Sequence, residues 1–477
     1  MKQSLQTIAL LLLLAGCAAR PPANDTFQAA APSWKKRIEP ASTPSESTAD
    51  PRAADWIPDD DPDLNELITR ATADNLDLRE LFARRQAAHA DVLAARAGLW
   101  PLARLNMRSQ RSQIPKGDTL QREVGDVGPE LFTLENPATR HALGVEASYE
   151  IDLWGRLRSA LDAASAELRA SEHDVRTAQI SIAADVALEY FAVRSADRQL
   201  LLRDERAHLL RDLVHRERAR LSAGVVDAVS LLRAERDLLD LQHDTASLQQ
   251  AREEAENRLA LLLGTSPSEF TLAPRKDWAA PRPTPPALLP AAVLESRPDI
   301  AAARARLYAA DARLGEARAA RLPALTLTGL AGFASEALHR LLRQDTREWS
   351  IGAALQVPVF DGRLRAQTET AAAEATRLRA TYRNTALRAF AEVENALSAF
   401  AAAREREDAA RASKDSLTES VSLLSEQVAA GRTSRLPLIA SQAEALLAQE
   451  AAYEAERDRV AATVALLRAL GVSWTTS

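Results

Sequence analysis

The sequence predicts a mainly α-helical chain with a small β part suited to a membrane barrel, written twice in tandem. Three observations predict it. Two intervals of 69 positions (224 − 155 and 431 − 362), from Gly155 to Gly224 and from Gly362 to Gly431, contain no internal proline or glycine. Their wealth of Ala, Leu, Arg and Glu reads as uninterrupted helix, and at ~1.5 Å per residue each would run ~100 Å. The glycines that punctuate the chain recur at one offset, 207 (362 − 155, 431 − 224 and 471 − 264). Between the helical segments the apolar period falls from 3.6 to 2, the period of a strand.

The amino terminus comes first. Lys2, an apolar run from Ile8 to Ala15 and then Leu14-Ala15-Gly16-Cys17 read as a secretory signal over 1–16 that ends in a lipoprotein cleavage site. The run is too short to span a bilayer. Cys17 is the expected lipidation site and the single cysteine of the chain, so no disulfide is available and stability must come from packing. Ala18 and Ala19 follow it where aspartate would signal inner-membrane retention, which suits an outer-membrane address. Residues 17–60 carry Pro21, Pro22, Pro32, Pro40, Pro44, Pro51 and Pro58 and read as an anchor and linker. Extended at ~3.1 Å per residue, such a tether reaches on the order of 100 Å.

The body divides into a first repeat over 61–264, an inter-repeat linker over 265–289 and a second repeat over 290–473. Upstream of the long helices the offset is 222: Leu76-Asp77-Leu78 answers Pro298-Asp299-Ile300, and Pro101 answers Pro323. Helical pattern covers 64–99 and 291–322, and shorter return helices are expected over 225–263 and 432–470. A return helix and a pre-proline helix stacked end to end would about match one long helix. Each repeat would then supply two full-length helical rods.

The strands are expected at about 102–112, 143–153, 324–331 and 350–360, with hairpin loops over 113–142 and 332–349. Ala103, Leu105 and Met107 alternate with Arg104, Asn106 and Arg108; Val145, Ala147, Tyr149, Ile151 and Leu153 alternate with polar neighbours. In the second repeat Leu325 and Leu327, then Ile351, Ala353, Leu355, Val357 and Val359, make the apolar face. Pro358 lacks a ladder donor and belongs near a strand end or bulge. Trp100, Trp154, Phe333, Trp349 and Phe360 flank the strands, as interfacial aromatics do, while Trp100 and Trp154 suit packing at the helix–strand junction equally well. Four strands cannot close a barrel, and an open edge cannot face lipid. Membrane strands therefore require oligomerisation, with a dimer of eight or a trimer of twelve strands as the smallest closures.

Chemistry is sparse. The seven histidines, His89, His141, His173, His208, His215, His243 and His339, form no His-Glu-x-x-His motif, and no cysteine partner exists for zinc. No phosphate loop, nucleophile elbow or paired carboxylates point to an enzyme, and no cofactor or metal is expected. A formal net charge of −6 without a basic aromatic patch argues against nucleic acid. Gly224 and Gly431 are expected turns, with Asp227, Arg233, Arg432 and Arg435 beside them as charged candidates for a gate.

Three motifs, Glu150-Ile151-Asp152-Leu153-Trp154-Gly155-Arg156, Arg297-Pro298-Asp299-Ile300 and Val357-Pro358-Val359-Phe360-Asp361-Gly362-Arg363-Leu364, resemble those of the TolC-like outer-membrane efflux lipoproteins of the NodT type. The likeness covers essentially the whole chain. It implies a homotrimer, with four strands per chain completing a twelve-stranded outer-membrane β-barrel that continues into a periplasmic α-barrel. It also implies a passive, gated duct whose periplasmic tip turns at Gly224 and Gly431, docking to a periplasmic adaptor and an inner-membrane pump of the RND type. The protein would be anchored in outer-membrane lipid with its tube in the periplasm. Two departures stand out: Arg363 replaces the second glycine usual after Phe-Asp, and Arg432-Thr433-Ser434-Arg435 lacks the acidic residue that often follows the second tip glycine. The alternative is a periplasmic adaptor lipoprotein, which needs a split lipoyl-like β-domain around a single hairpin.

Overall fold

A computed structural model describes residues 61–113, 137–275, 278–281 and 297–472. The signal, Cys17, the proline-rich linker and most of the first hairpin loop lie outside the described residues. In chain order the helices are α1 (Pro62–Asp74), α2 (Leu76–Ala97), α3 (Arg156–Ser222), α4 (Ala228–Leu262), α5 (Pro298–Ala319), α6 (Gly362–Ala429) and α7 (Arg435–Leu470). The strands are β1 (Leu102–Ser112), β2 (Ala138–Ile151), β3 (Ala324–Ser335) and β4 (Arg347–Gln356). The two glycine-free intervals are indeed single helices, of 67 and 68 residues.

The described residues fall into two compact units, one within 87–169 and 305–380, the other within 61–86, 170–304 and 381–472. The first contains the sheet, antiparallel throughout, in the order β1-β2-β3-β4. Its central pairing joins the two repeats: Leu143 faces Phe333, Val145 faces Ala331 and Ile151 faces Leu325. Gly144 lies opposite Gly332 at this seam, where a Cβ on Gly332 would sit 2.4 Å from the Leu143 carbonyl oxygen. Only glycine lets the two backbones pass there. A β-domain assembled from both repeats is not the split domain around one hairpin that an adaptor requires.

Three strands differ from expectation in extent. The second begins at Ala138 and stops at Ile151, the third runs on to Ser335, and the fourth spans Arg347–Gln356. The extensions are carried by ladder pairs, on both sides at His141, which pairs with Ser109 and with Ser335, and on one side at the strand tips. Leu153, Val357 and Val359 keep the alternating pattern but lie past the last ladder pairs, so period alone overran the strands. Pro358 falls two residues beyond β4, as its missing donor requires.

The helical region expected over 64–99 is two helices. Asn75 is extended (ψ 130°), and its side chain accepts the Leu78 N–H, capping α2. It also donates to the Leu262 carbonyl at the end of α4, 2.9 Å away. The second repeat makes the same junction with different chemistry. Arg297, 222 positions on from Asn75 (297 − 75), donates to the Ala469 carbonyl near the end of α7, 2.7 Å away, and that residue lies 207 on from Leu262 (469 − 262). Arg297 is also fixed by Asp299 and by Glu392 of α6. Each return helix thus ends against the start of its own repeat's pre-proline helix, which is the expected end-to-end stack.

The second unit holds the larger core. Leu64, Leu67, Ile68 and Ala71 of α1 pack on Ala183, Val186, Ala187 and Tyr190 of α3, with Leu259 of α4 and Val460 and Val464 of α7. Across these helices, ion pairs mark the neighbours. Glu189–Arg258 (2.7 Å) and Arg218–Glu235 (2.7 Å) join α3 to α4. Asp185–Arg468 (3.0 Å), Arg198–Glu456 (2.9 Å) and Arg203–Glu450 join α3 to α7. From Asp185 to Arg203 the number rises by 18 while the partner falls by 18, from Arg468 to Glu450, so the two rods run antiparallel in register. Glu407–Arg459 and Arg406–Asp458 (3.7 Å) join α6 to α7. The lateral order in this unit is α4-α3-α7-α6.

Candidate functional site

Two features of the fold can carry function, and each unit has one. In the first unit the register gathers most of the large apolar strand residues on one face, with Leu102 and Leu330 the exceptions. Successive rows read Ile151-Leu325-Leu355, Tyr149-Leu327-Ala353, Ala103-Ala147-Gly329-Ile351, Leu105-Val145-Ala331-Trp349 and Met107-Leu143-Phe333-Arg347. The opposite face carries Arg104, Asn106, Glu146, Glu150, Thr326, Thr328 and Glu348. Asn106 donates to Glu146 (2.8 Å), and Arg140 pairs with Glu348 (2.6 Å) across the sheet. The apolar face is bare: Leu105 is 72% exposed, Trp349 76% and Ile351 83%. Five rows at ~7 Å each, tilted as in barrels, cover roughly the 25 Å of a hydrocarbon band. The outer strands β1 and β4 each have one unpaired edge in the single chain.

Where β2 leaves the sheet, the chain is secured before α3 begins. Asp152 accepts from the Leu157 and Arg158 backbone N–H groups and from the Arg158 side chain. Burial opposes ionisation of this carboxyl, yet those hydrogen bonds outweigh it and hold Asp152 below the usual carboxylate range. Glu150 receives a two-pronged hydrogen bond from Arg156. Trp154 donates to the Pro323 carbonyl (2.7 Å), so it packs at this junction rather than in a girdle. In the second repeat Asp361 does the capping work from a different position, accepting from Arg363 and Leu364.

In the second unit the two long helices end in matching turns. Gly224 and Gly431 have φ of +71° and +68°, with open space where a Cβ would stand. The N–H of the residue after each glycine reaches back five residues, Val225 to the Arg220 carbonyl and Arg432 to the Gln427 carbonyl. These are left-handed helix caps, and only the backbone conformation demands glycine. Asp227 is the N-cap of α4, accepting from the Ser230 N–H at 3.3 Å, whereas Ser434 at the equivalent place makes no side-chain cap. Arg233, Arg432 and Arg435 are exposed. The four expected gate residues are therefore at the two turns, three as free-standing cations on the surface and one engaged as a cap.

Sequence reasoning missed the strap that follows α4. Residues 265–281, expected as a linker, pack in their described part on the core. Trp278 is 7% exposed beside Phe191, and Phe270 and Leu272 lie against the same cluster. Arg194, buried, donates to the Ala273 carbonyl and to Asp63, and Arg252 donates to the Leu272 carbonyl. Tyr190 and Trp278 both donate to Asp61 at the start of α1. Burial first, and the Asp61 carboxylate beside it, push the Tyr190 phenol up to about 12 against the opposing Arg194. The only signal in the sequence was a tryptophan within a proline-rich stretch.

Comparison with known proteins meets this geometry. The family model for outer membrane efflux proteins matches residues 67–265 and 289–472, one match for each repeat. The pyoverdine export outer membrane protein OpmQ of Pseudomonas aeruginosa is 30% identical over 99% of this chain and 97% of its own length. A crystal structure of a membrane protein from Pseudomonas aeruginosa superposes with a TM-score of 0.80, at 28% identity, covering 95% of this chain and all of the other. The outer-membrane channel OprN superposes with a TM-score of 0.75, at 27% identity, covering 92% of this chain and 98% of its own. With both repeats matched by the family model and a relative 30% identical along nearly its whole length, the chain belongs to the outer membrane efflux protein family.

Proposed function

We propose that this protein is the outer-membrane channel component of an efflux machine, a passive exit duct that closes its barrel by trimerisation and performs no catalysis. The sheet carries the reading. Its four strands share one apolar face and end in unpaired edges on β1 and β4, and such a sheet is stable in lipid only when its edges are joined. A cyclic trimer would pair β1 of one protomer with β4 of the next and make twelve strands. The same operation would bring α4 of one protomer to α6 of the next and complete a helical tube. Leu232 and Leu239 of α4 and Leu387 and Leu423 of α6, all exposed in the single chain, support those helices as the joining edges.

Cys17 would bear the lipid. Gly224 and Gly431 would form the periplasmic tip, ringed by Arg233, Arg432 and Arg435, so that its closed state is held by a more basic gate than acidic relatives use. The tip would meet a periplasmic adaptor and an inner-membrane pump, most simply of the RND type, which supplies the energy. OpmQ is named for pyoverdine export, and small organic molecules are the corresponding substrate class here. Outer-membrane fractions should yield a heat-modifiable trimer that conducts in planar bilayers. Recovery as a soluble monomer once the lipid is removed would sink the reading.

A further inference from the structure

At the end of the sheet away from the helices, the apolar face does not simply stop. Along β4 it passes from Leu355, Ala353 and Ile351 to Trp349, and then to Arg347, the last two in adjacent rows of one face. Along β1 the same face passes from Leu105 and Met107 through Ser109 to Arg111. Aliphatic, aromatic and then cationic is the depth order of a membrane boundary: hydrocarbon, interface, headgroup.

The connection between β3 and β4 continues the pattern. It is an ordered loop, built from two single 3-10 turns, Leu338–Arg340 and Gln344–Thr346. The Thr346 hydroxyl donates to the Leu341 carbonyl (2.7 Å), closing the loop on itself, and the Leu341 side chain is buried. Leu338 and Leu342 nevertheless point outward, 57% and 70% exposed. Between and after them stand His339, Arg340, Arg343 and Arg347. Asp345 lies 3.4 Å from both Arg340 and Arg343 and bridges the two guanidiniums; the other carboxylates nearby in sequence are Glu336, at the start of the loop, and Glu348, which pairs with Arg140. Exposed leucines and a tryptophan among clustered arginines suit neither bulk water nor hydrocarbon. They suit an anionic interface, where the leucines enter the acyl layer and the arginines meet forked phosphate oxygens.

We infer that the β3–β4 loop with Arg340, Arg343 and Arg347, beside Leu338, Leu342 and Trp349, is a binding site for a phosphorylated lipid headgroup of the outer leaflet. This rests on the reading of the sheet as a membrane barrel. The site would fix the height of the barrel in the bilayer and recruit a lipid collar around it. Guanidinium forks rather than a single cation make it selective for phosphate over a zwitterionic or sugar surface.

The full-length protein, purified from outer membranes, is reconstituted in phosphatidylcholine nanodiscs containing either a bis-phosphorylated lipid A or the same glycolipid with its phosphates removed. Native mass spectrometry then counts the glycolipid retained. Wild type should hold the phosphorylated form about tenfold better, with the preference shrinking at high salt. The triple variant Arg340→Gln, Arg343→Gln, Arg347→Gln should lose most of that preference, and the corresponding triple lysine variant should keep a large part of it. Equal retention of the two glycolipids by wild type, or a glutamine variant that binds like wild type, overturns the site. Planar-bilayer conductance of the same samples separates the two readings. Conducting channels without a phosphate preference remove only the site, whereas a wild type that neither assembles nor conducts removes the channel reading and the site together. Should the glutamine variant fail to assemble, the dephosphorylated lipid and the salt series on wild type decide alone.

Discussion

Helices α2 and α5 are the same segment of the repeat, 22 residues each, and they have opposite surroundings. Ile300, Ala302, Ala303, Ala305, Leu307, Ala309 and Ala310 of α5 are buried, whereas α2 buries Leu78 and Val92 and leaves most of its length exposed. Neighbours make the difference. The Gly315 backbone of α5 comes close to Ser159 of α3, Arg313 pairs with Glu167 of α3, the Ala317 carbonyl accepts from Thr368 of α6, and Asp311 pairs with Arg379 of α6. So α5 is wedged between two long helices. By contrast α2 is followed by Gly98, close to Leu157 of α3, and its pair Arg84–Glu80 lies within its own turns. Residue types follow: at the positions of Ala301, Ala302 and Ala303, α2 has Arg79, Glu80 and Leu81. Duplication copied the backbone plan, and position in the chain decided which copy became interior. If the chain trimerises as proposed, the bare face of α2 is where a neighbouring protomer would pack.

Removing the charged end of α5 should have the largest effect. Arg297→Ala deletes a nearly buried cation and leaves Asp299, Glu392 and the Ala469 carbonyl without their donor. A loss of about 3–5 kcal/mol is expected, read as a large drop in apparent Tm in detergent. A variant melting like wild type would show that the α5–α7 junction is held by packing alone. A matched pair tests the wedge itself. Ala309→Leu must overfill a fully buried position and should cost about 1–3 kcal/mol, while Ala87→Leu at the equivalent exposed position should stay within about 0.5 kcal/mol in a dissociated protomer. If Ala87→Leu becomes as costly in the assembled protein, the neighbouring copy reaches this face of α2. Asn75→Ala then compares the two junctions directly. It removes a cap from α2 and a donor from the Leu262 carbonyl, with an expected loss of about 1–2 kcal/mol, smaller than for Arg297 because no ion is left unpaired.

What could be read without coordinates divides along the same line. Features both repeats share were legible, because a constant offset exposes them: the long helices, the turn glycines, and the alternation that sorts Leu105, Val145, Leu327 and Ile351 onto one face. Features one repeat holds alone were not. Asn75 breaks a helix that a continuous apolar pattern seemed to extend, because a single side chain meets both the Leu78 N–H and the Leu262 carbonyl. Trp278 joins the core from a segment whose prolines read as linker, because the burial partner, Phe191, is distant in sequence. The outer ends of the strands were not legible since ladder pairing with the neighbouring strand, and not period, determines where β2 and β3 end. Charged residues beside the turns were legible as a group, but their division into a cap and exposed cations needed geometry.

That division gives the smallest and most local test of the comparison between copies. Asp227 and Ser434 occupy the same place, 207 apart (434 − 227), at the start of the return helices. Asp227 accepts the Ser230 N–H, and Ser434 accepts nothing with its side chain. Asp227→Ala should cost about 0.5–1 kcal/mol, felt as faster hydrogen exchange in the first turn of α4 and hardly at all in the global melt. Ser434→Ala should leave exchange in the first turn of α7 unchanged. Asp227 is also the one acid among the candidate gate residues, so its removal makes that set wholly cationic, with Arg233, Arg432 and Arg435. Closed-state conductance should therefore rise in Asp227→Ala if repulsion among those cations is what the aspartate offsets. Faster exchange with unchanged conductance would assign Asp227 to capping alone and leave the gate to the arginines.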